Sequence, residues 1–266
     1  VAPQPPLKIL LQRSASYVQQ FERDFSSIVT DETYDQQAHQ DWRGSTEMRR
    51  NELERHIRSE MLFMRLPGQG LAWISARNVL EVDGKAITDS RDRFERAIGG
   101  NAEGLAQRLL SLADEGARFN IGTVQRNFND PILPLLFLDP EYQPRFKFRL
   151  EKRETMNDVS AVRMTFKESE RPTVIRETGG KDIPLSGAMW IRPDDGAVVR
   201  TDVAGETSAV RFNIRIDYRH DARLDTWVPG RMEEHYTHTA LDVDRVDCVA
   251  VYSNARRFET SGRIVR

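Results

Sequence analysis

Val210-Arg211-Phe212-Asn213-Ile214-Arg215-Ile216-Asp217-Tyr218 decides the fold. Val210, Phe212, Ile214, Ile216 and Tyr218 alternate with Arg211, Asn213, Arg215 and Asp217. A period of two places the first set on one face of an extended strand and the second on the other. Antiparallel strands with one wet face carry this pattern. Working outward, Phe146, Phe148 and Leu150 oppose Lys147, Arg149 and Glu151, and Val162, Met164 and Phe166 oppose Arg163, Thr165 and Lys167. Turn residues separate these runs: Met156-Asn157-Asp158, Pro193-Asp194-Asp195-Gly196 and the polar stretch His220 to Asp225. Residues 145–266 therefore read as an antiparallel meander, and its short turns favour one curved sheet over separate modules.

Upstream the period changes. Leu7, Leu10, Leu11, Tyr17, Val18, Phe21, Phe25 and Ile28 recur at three and four, the stripe of an amphipathic helix over 7–28 that feeds a strand near Ile28. Residues 29–88 hold the first strands. Met61 to Leu66 is apolar on both faces, Pro67-Gly68-Gln69-Gly70 is a turn before Leu71-Ala72-Trp73-Ile74, and Asp83-Gly84 closes a hairpin. Residues 89–144 form a helical insertion. Asp89 or Ser90 caps a helix with Phe94, Ala97 and Ile98, and Leu105 to Leu112 mark a second that ends near Gly116. Asn129-Asp130-Pro131 caps a third, over Ile132 to Leu138. The expected fold is α+β: a single domain over 1–266, whose curved antiparallel half-barrel is covered on its concave side by the N-terminal helix and the insertion.

Composition removes several functions. The 39 Lys and Arg against 41 Asp and Glu give a formal charge of -2, without the net basic surface a generic nucleic-acid binder needs. One cysteine forbids an intrachain disulfide and a Cys-rich zinc module. The apolar run Ile132 to Leu138, broken by Pro134, is far short of the ~20 residues that span a bilayer. Val1-Ala2-Pro3-Gln4-Pro5-Pro6 reads as a stiff leader left after signal removal or trimming, and a periplasmic or secreted chain is expected.

No reaction follows from the residues. In Glu234-His235-Tyr236-Thr237-His238 the histidines are three apart in a strand-like segment and point to opposite faces, whereas a helical zinc motif spaces them by four. Cys248 lies in an apolar strand and reads as an inert packing thiol. Glu233-Glu234 and Asp194-Asp195 read as solvated surface, and Gly99-Gly100 and Gly179-Gly180 as loops. No cofactor or metal is expected. Double-sided apolar strands need a cover, either helices or an apolar guest, and the two are compatible if the helices move as a lid. Phe63, Trp73, Met164, Trp190, Phe212 and Trp227 are the candidates to line a ligand cavity. Each tryptophan, Trp42 included, is individually more often structural.

Four stretches together resemble a known family. They are Tyr17 to Phe25; Gly187-Ala188-Met189-Trp190-Ile191-Arg192-Pro193-Asp194-Asp195-Gly196-Ala197-Val198-Val199-Arg200; Thr226 to Met232; and Ala250 to Phe258. The combination is similar to bacterial envelope proteins of the lipoprotein-carrier superfamily (LolA/LolB-like), among their uncharacterised secreted members. That resemblance implies an unclosed half-barrel that accepts acyl chains under helices, or a sensor of envelope stress that binds lipid or misfolded protein. The chain departs from the pattern in its 89–144 insertion and in having Val1 where a lipobox cysteine would stand. The leading expectation is a non-catalytic binder of a hydrophobic ligand. The alternatives are an envelope protein-interaction scaffold with a filled interior, and a hydrolase using His235 or His238 with a nearby acid.

Overall fold

The computed structural model describes residues 4–24, 28–43, 48–65, 73–90, 93–98, 104–122, 126, 129–156, 158–177, 179–238, 244–259 and 263–264. In chain order these form α1 (Leu7–Asp24), β1 (Ile28–Arg43), β2 (Met48–Arg65), β3 (Trp73–Val82), β4 (Lys85–Ala86), α2 (Arg93–Ile98) and α3 (Leu105–Ala117). Two 3-10 turns follow, Leu133–Leu138 and Gln143–Arg145. Then come β5 (Phe146–Met156), β6 (Val159–Glu168), β7 (Ile175–Arg176), β8 (Asp182–Ile183), β9 (Ser186–Ile191) and β10 (Val198–Glu206). The chain closes with β11 (Val210–Asp221), β12 (Thr226–His238), β13 (Asp244–Glu259) and β14 (Arg263–Ile264). The fold is α+β, an open antiparallel sheet with an N-terminal helix and a helical insertion, as the alternation requires.

Two compact units divide the chain, Val1–Arg23 with Pro131–Asp242, and Asp24–Asp130 with Val243–Arg266. In the first, six strands hydrogen-bond in the order β12-β11-β10-β9-β6-β5, every pair antiparallel. Their buried face carries lateral rows fixed by register. One row runs Leu150, Met164, Met189, Thr201, Ile216, Met232, and the next runs Phe148, Phe166, Gly187, Val203, Ile214, Glu234. Register shifts at Leu150/Arg153, Val198/Arg200 and Asp217/Tyr218 put an extra residue into one strand. Such bulges bend a strand and raise its twist. Phe212 lies over Gly205, where an added Cβ would meet its ring at 2.5 Å, so the missing side chain is the room the aromatic occupies.

In the second unit the order is β4-β3-β2-β1-β13, with β14 on the far end of β13. α2 and α3 seal Val29, Leu62 and Ala76 through Phe94, Ala97, Leu109 and Leu112. The inward residues of β1 are unexpectedly polar: Glu32 and Gln36 are buried beside Tyr34 and Ala38. Glu32 accepts from Arg77 at 2.6 and 2.9 Å and from the Ser59 hydroxyl at 2.5 Å. The Arg77 guanidinium also lies over the Tyr34 ring. Burial alone would push that guanidinium's pKa down, but the Glu32 charge outweighs burial and raises it. Arg126, 2% exposed, donates to Gln36 and, at 2.9 Å, to the Cys248 sulfur.

Three readings are corrected. The third helix of the insertion is a 3-10 turn that starts at Leu133, with Leu135 bonding to Ile132 and Asp139 to Leu136. Pro134 lacks an N–H, and the run is buried on nearly all sides, so the tighter winding is kept. Ile28 belongs to β1, where it pairs with Phe63, instead of ending the helix stripe. Glu234 is 0% exposed rather than solvated, and it accepts a hydrogen bond from the Tyr236 hydroxyl. The expected turn Pro67 to Gly70 lies outside the described residues.

Candidate functional site

α1 buries Leu10, Ser14, Val18 and Phe21, spaced by four, four and three, so one stripe faces inward. The serine interrupts an otherwise apolar line. Its helix is seated on the β9–β10 turn. Arg13 donates to the Pro193 carbonyl, and Gln143 reaches the Leu11 carbonyl at 3.4 Å. Gly196 has φ 78 and lies so close that a Cβ there would meet the Arg13 and Ser14 backbone at 2.3–2.5 Å. At the other end of the same strands, Phe137 of the 3-10 turn stacks on Phe146 and tilts against Phe166. Tyr218 donates to the Pro131 carbonyl at 2.8 Å and ties that segment down.

The buried face between these seals has a particular chemistry. Met164, Met189 and Met232 are all 0% exposed, in one row with Ile216. Methionine is unbranched and polarisable, and it repacks around irregular apolar shapes more readily than branched side chains. The hydroxyls of Thr201, in that row, and of Ser14 and Tyr17, on α1, are buried without hydrogen-bond partners. Each such group costs about 1–3 kcal/mol over a paired one. Burial first, then the neighbouring Tyr218 and Asp195, raises the Tyr17 phenol well above its ordinary pKa, so it stays protonated and offers a donor.

Of the six residues expected at a cavity, Met164, Trp190, Phe212 and Trp227 belong to the first unit, and Phe63 and Trp73 to the second. Met164 and Phe212 share the buried face of the first unit, in different rows. Trp190 pairs laterally with Arg163 and Arg200 on the opposite face of β9. There its indole donates to Glu154 at 2.7 Å, and both guanidiniums approach the ring. Trp227 stands at the start of β12 against His220, with Arg192 over its ring. Phe63 is buried in the second unit. Trp73 opens β3, and its side chain, like that of Trp42, lies outside the described residues.

Ser14, Thr201, Met189 and Met232 are not among the residues expected at a cavity from the sequence. A serine four residues from both Leu10 and Val18, and a threonine between Val199 and Val203 at period two, are the signals that mark them. His235 is exposed on the wet face of β12, across from Asn213. Among the described residues no group of three or more His, Cys, Asp or Glu is placed to hold a metal ion, and no helix is long and apolar enough to cross a membrane.

No protein-family model matches this chain, and none of the curated proteins does. Among solved structures it is similar to a domain from Vibrio parahaemolyticus named for outer membrane lipoprotein sorting, at 8% identity over 93% of both chains with a TM-score of 0.35. It is also similar to a DUF1329 family protein from Desulfovibrio piger, at 10% identity over 93% of this chain and 92% of that one with a TM-score of 0.34. LprF from Mycobacterium bovis aligns at 10% identity over 95% of both chains with a TM-score of 0.22. At such identities and TM-scores the likeness transfers neither ligand nor partner.

Proposed function

We propose that this chain is a non-catalytic binding protein that takes an acyl-type hydrophobic ligand onto the buried face of its first unit, with α1 as a displaceable cover. The observation that carries this reading is a buried methionine row that holds the unpaired Thr201 hydroxyl, together with the unpaired buried hydroxyls of Ser14 and Tyr17 on α1. A purely structural interface gains by replacing such hydroxyls with apolar groups. Kept as they are, they weaken the closed state and offer polar partners to a guest that is apolar along its length and carries oxygen at one end. A fatty acid or lipid acyl ester has that chemistry. Binding would bury the chain against Met and Phe side chains at about 25 cal/mol per Å², and release would follow the return of the helix. A periplasmic or secreted location, and membership of the lipoprotein-carrier superfamily, are part of the same proposal.

Native mass spectrometry of the purified protein, followed by titration with a fluorescent fatty acid, tests the reading. Saturable one-to-one binding that a fatty acid competes supports it. Neither co-purified lipid nor saturable binding would overturn it.

A further inference from the structure

The sheet of the first unit ends on β5, which among the described residues pairs with β6 alone. The Ser169 amide donates to the Arg145 carbonyl, and the Glu168 amide turns the other way, to the Leu185 carbonyl. Hydrogen-bonded and non-hydrogen-bonded pairs alternate along an antiparallel ladder. Lys147 and Arg149 therefore direct their amides and carbonyls to β6, and the main-chain groups of Phe146 and Phe148 point outward from the edge. The Phe146 amide is used by the preceding 3-10 turn, where it bonds to the Gln143 carbonyl. The Phe146 carbonyl and both main-chain groups of Phe148 stay open. Gln4 takes the Glu151 carbonyl at 2.9 Å, next to the bulge that begins at Leu150. The open edge is thus Phe146 to Leu150, about 17 Å at roughly 3.4 Å per residue, room for a strand of ordinary length.

The side chains along this edge are sorted by face. Lys147 and Arg149 are exposed on the wet side, and register sets Lys147 directly opposite Lys167, which is exposed too. Like charges in that relation destabilise a sheet. Among the described residues no carboxylate forms an ion pair with any of the three. Glu151 and Asp202 share their face, but Arg163 engages the first, and Asn213 with Arg215 the second. Glu170, beyond the end of β6, forms no ion pair with them. On the other side Phe148 and Leu150 are half-buried at the rim of the apolar face. Cations on an edge strand keep copies of one chain apart, because they would meet their own kind in a β5–β5 pair. The same cations favour a strand of opposite charge.

We propose that β5 docks an extended acidic segment of a partner protein, added antiparallel as a further strand whose side chains alternate acidic and apolar. Its residues opposite Phe146 and Phe148 bond to the open main-chain groups and turn their side chains to the apolar face. Those opposite Lys147 and Arg149 carry the carboxylates. Fluorescence polarisation of the full chain at low salt tests this, with a labelled peptide of alternating glutamate and valine about seven residues long. Saturable binding is expected. It should be about threefold to tenfold weaker in Lys147→Glu, and unchanged in Lys85→Glu, the same charge change in the second unit. Lys147→Glu sets opposite charges across β5 and β6, so its circular-dichroism melt should equal or exceed that of wild type. Fatty-acid binding should be the same in both, which keeps this result separate from the acyl-ligand reading. N-methylation of the peptide's valines, whose amides face β5, should abolish binding, and N-methylation of its glutamates should leave it. No saturable binding, equal affinity in wild type and Lys147→Glu, or equal loss from the two methylations would overturn the assignment. So would Lys147-dependent binding to phosphatidylglycerol vesicles in place of the peptide, which would make this edge a membrane face.

Discussion

Replacing Gly196 with alanine separates a helix that is seated by backbone contact from one that merely lies nearby. A Cβ at this position would stand 2.3 Å from the Arg13 carbonyl carbon, where ordinary contact begins at 3.4 Å, so α1 has to retreat by about 1.1 Å. A radial gap of 0.5–1 Å forfeits about a quarter to a half of the van der Waals attraction. Leu10, Val18 and Phe21, all 0–1% exposed, stand to lose that share. At roughly 1.5–3 kcal/mol for each fully buried side chain, the loosened packing costs about 1–4 kcal/mol. The left-handed backbone adds about 1–2 kcal/mol.

Gly180 supplies the control within the same unit, since its φ is +81 and nothing lies within 4 Å of its added Cβ. Gly180→Ala therefore carries the backbone cost alone. Urea unfolding followed by circular dichroism should show Gly196→Ala destabilised by about 2–6 kcal/mol, against about 1–2 kcal/mol for Gly180→Ala. With urea slopes of about 1–3 kcal/mol per molar, the two midpoints separate measurably. If α1 is the cover of a ligand site, the lower opening cost also tightens fatty-acid binding in Gly196→Ala. Equal midpoints for the two variants would refute the seating. Unchanged fatty-acid affinity would refute the cover.

Thr201→Val removes an unpaired buried hydroxyl at nearly constant volume, so the free protein should gain about 1 kcal/mol in urea unfolding while its fatty-acid affinity falls; a variant that binds as well as wild type speaks against a polar role for this residue. Arg77→Met strands the fully buried Glu32 carboxylate, and a loss of about 3–5 kcal/mol is expected at pH 7. The Glu32→Gln, Arg77→Met double variant should recover part of that loss in the same assay. Burial would raise the Asp221 carboxyl, but the backbone amides of Arg223 and Leu224 outweigh it and hold its pKa below the ordinary 3.8. Its contribution to stability is therefore present above about pH 4 and is lost as pH falls through the folded value. The urea-midpoint difference between wild type and Asp221→Ala should shrink on acidification, and a gap that widens toward low pH contradicts the capping role.

The legible parts of the fold are the ones whose signal is local. Val210 to Tyr218 shows its two faces in nine consecutive residues, and Pro193-Asp194-Asp195-Gly196 shows its turn in four. Leu105 to Leu112 shows a helix in little more than two turns. The first hairpin was harder to read for a physical reason. In β1 the inward positions are Thr30, Glu32, Tyr34, Gln36 and Ala38, so polar types occupy places where the apolar half of the alternation should stand. The burial of Glu32 and Gln36 is tolerable because Arg77 comes back 45 residues later and Arg126 90 residues later to bond to them. Glu234 likewise depends on its hydrogen-bonding neighbours, not on its own type.

The candidate site divides in the same way. An amphipathic helix and one-sided strands could be read from spacing, and with them the expectation of a covered apolar face. Trp190 could not be placed, because its face follows from the register of β9 between β6 and β10, and a one-residue difference in register moves a side chain to the other face. By itself the sequence determined the periods, the turns and the existence of an apolar face, all of which rest on sterics within a few residues. Only the tertiary structure decided which hydroxyls lie buried and unpaired, and that Arg77 and Arg126 meet Glu32 and Gln36. Those outcomes depend on distances between residues that the chain keeps far apart.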